Sequence, residues 1–564
     1  MPITKLTLEN FKGVGERVEI PLRPVTLLFG ANSAGKSTIL QALLYFRHLL
    51  NHGSPDTDRI EGGDDSIRLG GFASFVHRAD LSRIVKIGVE IPVDGDGLPT
   101  YVATDSDGRY DEEIELRLPF VDKIAVELWV RWDAGEAGAY LSGWQVSVNG
   151  RLIAEVQGLF GTGLNGHLTF FDLEHPACND SPERIEDEFE KLRKFGSYDV
   201  GPWLEEFRTA LDDADQYKES TGFYDYYSDQ ADFLRGLFGR ENLYPGPAPF
   251  VAGKGFPWVI PSPEYLSVSF PTDPWECPAL SSLLRHVFLG SRKLLIDELE
   301  RFRYIGPTRV VPDFSALPGS KLCRWSDGSL GWHQFRDAEV TKRVNEALCE
   351  KNGIGLGFRV QRSVAVSLPL DGEEWSWFTR IKSELDSGNL DFDAAENVRS
   401  LMERIESLPQ SFRIDLIDEN SGQRRRPADV GVGVSYVIPV VVGAIAPGYS
   451  TLLVEQPELH IHPAVQCALG DVLARQVVGS GERTLILETH SEHLMLRLLR
   501  RIRERFEGEL PPGAPEISPS ELSVLYVEKV DGTVRITELP VTEDGDFAKN
   551  WPKGFFEERA EELF

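Results

Sequence analysis

Apolar and polar residues alternate over residues 3–29, and this stretch closes with the continuous apolar run VTLLF. Alternation is typical of strands with one buried face, whereas an unbroken apolar run of this length is typical of a strand buried on both faces. The segment ILQALLYF follows shortly afterwards and has the character of a helix. We therefore predict two or three strands, a loop, and a helix that begins at Lys36.

Two more short apolar runs occur near the other end of the chain, at residues 451–454 and 484–487, and polar residues follow each of them. They predict two further buried strands. A strand, a loop and a helix at the front, with buried strands returning near the end, indicate one α/β sheet whose sequence is interrupted by a large α+β insertion. The predicted divisions are an amino-terminal part of this domain, an inserted region, a carboxy-terminal part and a short tail subdomain, at 1–80, 81–300, 301–506 and 507–564.

The inserted region contains an acidic and aromatic tract at residues 181–232. Its aromatic residues have the spacing of helix faces. Two interpretations remain open, a solvated acidic helical face and a docking surface for a basic partner.

The chain has 59 basic and 89 acidic side chains and a formal net charge of -30. Such a charge repels polyanions at long range, so binding of nucleic acid requires a local basic surface. The five cysteines are far apart, which indicates neither a disulfide framework nor a zinc knuckle. Because no segment approaches the length of an apolar membrane span, we expect a cytoplasmic protein that does not insert into membranes.

The loop between the first buried strand and its helix has the sequence GANSAGKST, and Gly30, Gly35, Lys36 and Ser37 satisfy the pattern GxxxxGK[ST]. Glycines allow successive backbone N–H groups to face an anion, and the helix amino terminus adds its positive end. In such a loop the lysine reaches the terminal phosphates and the serine hydroxyl ligates Mg²⁺. The loop predicts binding of ATP with Mg²⁺ by residues Gly30, Asn32, Ser33, Ala34, Gly35, Lys36, Ser37 and Thr38.

The run TLLVEQPELHIHP places acidic residues directly after a buried strand. In this kind of fold Glu455 would hold Mg²⁺ through water, and Glu458 would orient the attacking water. A different interpretation is a transition-metal site formed by Glu458, His460 and His462 on one strand face. Pro457 argues against a regular strand there.

The motif ETHSEH follows the other buried strand and contains His490. An imidazole at this sheet edge would face the γ-phosphate and sense its presence. The alternative is an ordinary polar residue at a helix start, with Ser491 as the cap.

A second glycine-rich segment, ADVGVGVSYVIPVVVGAI, precedes an apolar helix. Ser435 as its amino-terminal cap, with Gly431 and Gly433 before it, would leave N–H groups free to bind another anion. If two copies pack head to tail, each copy supplies half of each nucleotide pocket. The alternative is a plain turn before a core helix.

These motifs, with NFKG at residues 10–13 and YIGPTR at residues 304–309, resemble the ABC-type ATPase heads of the OLD, RecF and SMC group. The resemblance is strongest to bacterial AAA-family ATPases that end in a short tail, here NWPKGFFEE at residues 550–558. It implies ATP held between two subunits of a homodimer or higher homo-oligomer, with Gly431, Gly433 and Ser435 acting across the interface. It also implies Glu455 and Ser37 at the metal, His490 as a switch, and Glu458 or Gln456 positioning water.

Gln456 stands where transporters and SMC heads have a glutamate, and this difference indicates slow turnover. Similar proteins are ATPase subunits of anti-phage systems that work with a nuclease or another toxic effector. Many carry their own nuclease domain, but Glu528, Asp544 and Asp546 lie in a stretch too short for one. The resemblance therefore implies a separate effector partner.

Basic residues cluster just before the second glycine-rich segment, at Arg424, Arg425 and Arg426, and along the run RLLRRIRERF, at Arg497, Arg500 and Arg501. They would contact nucleic acid or pair with the many acids of the chain. We expect an Mg²⁺-dependent ATPase that dimerises around ATP and regulates an effector in phage defence. The alternatives are a DNA repair ATPase and a slowly hydrolysing, ATP-gated scaffold.

Overall fold

The structure, a computed structural model, describes most of the two ends of the chain and part of its middle. The described residues are 3–52, 55, 67–93, 97–98, 121–135, 138–158, 165–172, 175, 248–251, 286–312, 323–348, 353–386, 392–408 and 410–548. The acidic tract at 181–232 and the tail motif at 550–558 lie outside them.

Numbered in chain order, the strands in this part of the chain are β1 (Lys5–Glu9), β2 (Val18–Pro21), β3 (Val25–Phe29), β4 (Val85–Pro92), β5 (Lys123–Asp133), β6 (Gly138–Val148), β7 (Arg151–Gly158), β8 (Asn165–Phe171), β9 (Ala248–Val251), β10 (Phe302–Ile305), β11 (Phe358–Val366), β12 (Gln410–Asp418), β13 (Arg424–Arg425), β14 (Thr451–Glu455), β15 (Thr484–Glu488), β16 (Leu522–Val530) and β17 (Thr533–Glu538). The α-helices are α1 (Lys36–His52), α2 (Phe72–Phe75), α3 (Ser291–Glu300), α4 (Ser329–His333), α5 (Ala338–Leu348), α6 (Glu373–Asp386), α7 (Phe392–Ser407), α8 (Val432–Ile445), α9 (Pro463–Ala474) and α10 (Glu492–Glu507).

The central sheet has six strands in the order β10-β14-β15-β3-β16-β17. β3 pairs in parallel with both β15 and β16, so a strand from the amino-terminal end lies between two strands from the carboxy-terminal end. The three predicted buried strands are confirmed, because every residue of β3, β14 and β15 is buried. The α/β fold class and the assembly of one domain from both ends of the chain are confirmed as well.

Neighbouring side chains of β3 enter different cores, as the two-residue period of a strand requires. Leu28 packs in a core shared with α1, α3 and the antiparallel sheet. Leu27 and Phe29 pack in a second core with α8, α9 and α10 on the other face. Burial on both faces is the reason that this strand reads as an unbroken apolar run.

The second sheet is antiparallel and has the strand order β2-β1-β4-β5-β6-β7-β8-β9. It forms much of the predicted insertion. Strand pairing crosses two of the predicted divisions, since β4 pairs with β1 and β16 pairs with β3. The segments before residue 80 and after residue 507 are therefore integral to the two sheets.

A third, three-stranded sheet, β11-β12-β13, packs beside α5 and the second core. Helix α8 runs from the carboxyl edge of the central sheet to the opposite edge, where the chain turns into β14. Arg303 fixes its far end, because its guanidinium donates hydrogen bonds to the carbonyls of Gly443 and Ala446 at 2.5 and 2.9 Å. No helix in the described part of the chain is long and apolar enough to span a bilayer.

Candidate nucleotide site

The loop between β3 and α1 is closed on itself by Lys36. Its ammonium donates hydrogen bonds of 3.0 Å to the carbonyls of Gly30 and Ala31. Burial lowers the pKa of Lys36, and the nearby Glu488 and Glu458 oppose this shift. The amine is thus held at the centre of the loop, where the terminal phosphates of a nucleotide would be bound.

Backbone geometry explains the glycines of this loop. Gly30 and Gly35 have φ values of 145° and 107°, and Ser33 also has a left-handed φ of 61°. A side chain at Gly30 would bring its Cβ within 2.0 Å of the Val527 carbonyl oxygen. Alternating conformations of this kind turn successive N–H groups toward one point and form an anion nest.

Ser37 contacts a carboxylate that the sequence analysis did not single out. Its hydroxyl donates a hydrogen bond of 2.7 Å to Glu488, the last residue of β15. In the register of the sheet Glu488 is the direct neighbour of Glu455 on β14, and β15 separates Glu455 from the P-loop strand β3. The position of Glu488 at the end of a predicted buried strand was the available signal.

Glu455 lies at the predicted strand end and is held from two sides. The Tyr304 hydroxyl donates a hydrogen bond of 2.8 Å to its side chain, and Arg309 donates one of 2.6 Å to its backbone carbonyl. Burial raises the pKa of Glu455, and the charge of Glu488 raises it further. Two neighbouring buried carboxylates are costly, and Lys36, Lys12 and Arg309 offset this cost only in part, because both pKa values remain raised. This edge of the sheet therefore favours a further bound cation.

The donors at this edge fit Mg²⁺. The Ser37 hydroxyl and the carboxylates of Glu455 and Glu488 are oxygen ligands, and Mg²⁺ usually takes one or two carboxylates together with substrate phosphates and water. Lys12, from the NFKG motif, also acts electrostatically on Glu455. The resemblance covered this lysine only as part of a motif and gave it no role.

Glu458 connects the loops that follow β14 and β15. Its two carboxylate oxygens accept hydrogen bonds from the Thr489 hydroxyl at 2.8 Å and from the His490 backbone N–H at 2.7 Å. Burial raises the pKa of Glu458. Gln456, two residues earlier, has a left-handed φ of 47° and donates its N–H to the Glu488 carbonyl at 2.7 Å.

His490 lies beside the lysine of the loop. Burial lowers its pKa, and the Lys36 charge lowers it further, so the imidazole is neutral at pH 7. Its Nε2 is buried and has no hydrogen-bond partner among the described residues. Ser491 also caps α10 as expected, because its hydroxyl accepts a hydrogen bond from the Leu494 N–H at 3.0 Å.

The expectation that Ser435 caps the apolar helix is wrong. The cap residue is Gly431, four residues before Ser435, and helix α8 begins at Val432, because the segment becomes helical directly after the first glycine. The Ser435 side chain is buried and donates a hydrogen bond of 2.5 Å to the Pro427 carbonyl. Gly431 is exposed, whereas Gly433 is packed so closely that a Cβ would lie 2.1 Å from the His460 carbonyl oxygen.

The transition-metal interpretation of Glu458, His460 and His462 is not supported. Among the described residues no group of three His, Cys, Asp or Glu side chains could hold a metal ion. His462 instead caps α9, where its ring accepts a hydrogen bond from the Ala464 N–H at 3.2 Å. The prolines break the strand, so the three side chains do not share one face.

Most of the predicted basic cluster pairs with acids. Arg501 contacts Asp471 and Glu504 at 2.6 and 2.5 Å. The remaining ion pairs are Arg497–Asp471, Arg500–Glu504, Arg424–Asp415 and Arg426–Asp429. Arg425 donates a hydrogen bond of 2.8 Å to Gln423. The interpretation of ion pairing is confirmed for five of these six arginines by the pairs named in this paragraph.

Three parts of the chain match known sequence families. Residues 1–90 match a family described as "AAA ATPase domain", and residues 344–496 match an "AAA domain" whose description also names the AbiEii toxin of a type IV TA system. Residues 517–564 match "Protein of unknown function (DUF3696)". None of the curated proteins matches the chain. Residues 1–90 and 344–496 are therefore similar in sequence to AAA-type ATPase domains.

Solved structures that resemble the chain include heads of SMC proteins. One is an SmcHead bound to the C-winged helix domain of ScpA, with 11% identity, a TM-score of 0.38, and coverage of 96% of this chain and 99% of that chain. Another, from Pyrococcus furiosus, has 12% identity, a TM-score of 0.36, and coverage of 100% and 98%. A third, from Thermotoga maritima, has 9% identity, a TM-score of 0.33, and coverage of 96% and 100%.

Proposed function

We propose that the protein is an Mg²⁺-dependent ATPase that pairs head to tail around ATP and uses the nucleotide state to control a separate effector. The observation that carries the proposal is the convergence of Lys36, Ser37, Glu455 and Glu488 at one edge of the central sheet. A charged lysine, a hydroxyl and two carboxylates at a phosphate loop are the groups that bind a metal–triphosphate.

Each group has a distinct task in this proposal. Lys36 exchanges its hydrogen bonds to the loop carbonyls for contacts with the terminal phosphates. Ser37, with Glu455 or Glu488, holds Mg²⁺, which neutralises charge on the phosphates when bound. Glu458 accepts the proton of the attacking water, since its raised pKa suits a general base.

His490 completes the pocket. Its unpaired Nε2 is available to donate a hydrogen bond to the γ-phosphate in the tautomer that carries a proton there. Its backbone N–H is bonded to Glu458, so the backbone of His490 is linked to the proposed base. This linkage supports a role as a switch between nucleotide states.

The exposed start of α8 is the surface that we assign to the second subunit's phosphates. Val432 is 47% exposed, and Gly431 beside it is exposed as well. The backbone N–H groups of the first helical turn and the positive helix end would bind the anion, instead of the buried Ser435 hydroxyl.

Control of an effector in phage defence rests on the family resemblance and on the description that pairs the AAA domain with a toxin. Gln456 stands in place of an acid and therefore favours slow ATP hydrolysis. Slow hydrolysis is what an ATP-gated scaffold would require. The glutamine therefore keeps the scaffold as a second candidate function.

The experiment compares the wild type with Lys36→Ala and with the control Lys293→Ala, which removes an exposed lysine on α3. Equilibrium dialysis should show that only Lys36→Ala loses ATP binding, and sedimentation should show ATP-dependent dimers for the wild type and the control. Normal ATP affinity in Lys36→Ala would reject the site. If the wild type forms ATP-dependent dimers without measurable ATP hydrolysis, the scaffold function is favoured. ATP hydrolysis without dimers would reject head-to-tail pairing.

A further inference from the structure

A cavity of about 920 Å³ opens at the edge of the central sheet opposite the phosphate loop. It is lined by α5, by β11, and by residues at the carboxyl ends of α8 and α9, including Ile445 and Arg475. Helices α8 and α9 begin near the carboxyl edge of the sheet and end at this cavity. It is therefore separate from the nucleotide site.

The charge of the cavity is opposite to that of the protein. Five basic side chains line it, and only two acidic ones, Glu346 and Glu419, oppose them. The basic residues are Lys342, Arg343, Arg359, Arg362 and Arg475. The cavity is therefore a locally basic surface on a chain whose formal net charge is -30.

These cations differ from the arginines that the sequence analysis singled out. Arg497 and Arg501 are neutralised by Asp471, whereas none of the five cavity cations makes an ion pair with an acidic side chain in the described part of the chain. Lys342, Arg359, Arg362 and Arg475 are also exposed. Grouped exposed cations repel one another, and Glu346 and Glu419 offset this repulsion only in part, so a bound anion would relieve the remainder.

We propose that this cavity binds the phosphodiester backbone of a nucleic-acid strand. Guanidinium groups bind phosphate oxygens in a bidentate manner, and arginine is the residue best suited to this contact. The cations lie on two helices and a strand around an open rim, an arrangement that suits several phosphates along a backbone. A single small anion would engage only part of it.

The position of the cavity connects this site with the ATPase. Ile445, the last residue of α8, lines the cavity, while Gly431 at the other end of the same helix lies where we place the second subunit's phosphates. A strand bound at the cavity thus contacts an element that also reaches the nucleotide edge. This connection rests on the proposed function, but binding of nucleic acid at the cavity does not.

The test uses the full-length protein without ATP and follows the fluorescence anisotropy of labelled oligonucleotides. Single-stranded DNA, duplex DNA and single-stranded RNA of one sequence form the three arms. Arg359→Glu and Arg475→Glu are compared with Arg399→Glu, which makes the same charge change at an exposed arginine of α7 that pairs with Glu403. All three positions are exposed, so thermal melts should show that the variants fold.

We expect the wild type to bind at least one of the three nucleic acids, and each cavity variant to bind it about 10-fold more weakly than Arg399→Glu does. Neutralising one contact, in Arg359→Ala, should reduce the slope of log K against log salt by about 0.9 for duplex or about 0.7 for a single strand. Absence of binding, or equal weakening by Arg399→Glu, would overturn the proposal. Displacement of the oligonucleotide by stoichiometric tripolyphosphate would overturn it in favour of a small-anion site.

Discussion

The Ser37 hydroxyl and the Glu488 carboxylate lie 2.7 Å apart, joining the phosphate loop directly to the end of β15. The Lys36 ammonium is 4.0 Å from the same carboxylate. Glu488 is thus the acid nearest to the groups that would bind a metal–triphosphate, although Glu455 occupies the position expected from sequence.

Glu488→Gln should lower the affinity for Mg²⁺ by about 10- to 100-fold, the range seen when groups that orient a metal ligand are lost. The amide keeps an acceptor for Ser37 but removes the charge. Turnover measured against Mg²⁺ concentration, with Glu455→Gln for comparison, distinguishes the two acids. An unchanged Mg²⁺ dependence in Glu488→Gln would leave Glu455 as the metal-side acid.

The same substitution tests the electrostatics of the site without nucleotide. Burial raises the pKa of Glu488, so its contribution to stability is present below its ordinary pKa of 4.5 and is lost as pH rises through the raised value. Glu488→Gln should therefore melt at a higher temperature than the wild type at pH 7.5, and the difference should shrink as the pH falls toward 4.5. A difference that grows on acidification contradicts this sign.

Glu458→Gln should reduce turnover by about 100-fold or more, as expected for loss of a general base, while ATP binding persists. Gln456→Glu should raise turnover if the glutamine is the cause of slow hydrolysis. Single-turnover measurements with trapped nucleotide separate binding from chemistry. If neither substitution alters the rate, the water is positioned by another group.

The two glycines before α8 should respond differently to alanine. Gly433→Ala forces its Cβ against the His460 carbonyl and should destabilise the protein by about 1–3 kcal/mol, whereas Gly431→Ala places its Cβ in open space. Chemical denaturation checks this difference. A Gly433→Ala variant as stable as Gly431→Ala would show that the contact between α8 and the loop after β14 yields easily.

Gly431→Arg should fold normally and bind ATP, but it should not form ATP-dependent dimers, because the new side chain occupies the exposed helix start. Leu496→Arg, at another exposed apolar position, is the matched control. Analytical ultracentrifugation with ATP and Mg²⁺ gives the outcome. Normal dimers of Gly431→Arg would remove α8 from the interface.

The sequence was sufficient for β3, β14 and β15 of the central sheet because strands buried on both faces leave unbroken apolar runs. The other three strands of that sheet, β10, β16 and β17, were not predicted. It was also sufficient for the phosphate loop, whose glycines and lysine have a fixed spacing. The partner of Ser37 was missed since a carboxylate at a strand end has no spacing signature relative to a loop far away in sequence. Ser435 was misplaced because the helix starts at the first residue after Gly431, and its buried hydroxyl bonds a carbonyl that only the fold brings near.

The cavity cations were equally hidden from sequence. Lys342, Arg359 and Arg475 are far apart along the chain, and only packing of α5, β11 and α9 brings them together. The arginine-rich run of α10 is conspicuous in the sequence, yet Arg501 of that run forms an ion pair with Asp471. In a chain rich in both acidic and basic residues, a cluster of basic residues in the sequence therefore does not identify the basic side chains that lack an ion pair in the structure.

The insertion of β3 between β15 and β16 also has a consequence during translation. Strand β3 leaves the ribosome early, but its edge toward β16 stays uncovered until residues 522–530 have been made. Until then it exposes unpaired backbone groups and apolar side chains on a nascent chain, a state that invites chaperone binding or aggregation. The sheet edge beside the phosphate loop is thus completed only when residues 522–530 are available to pair with β3.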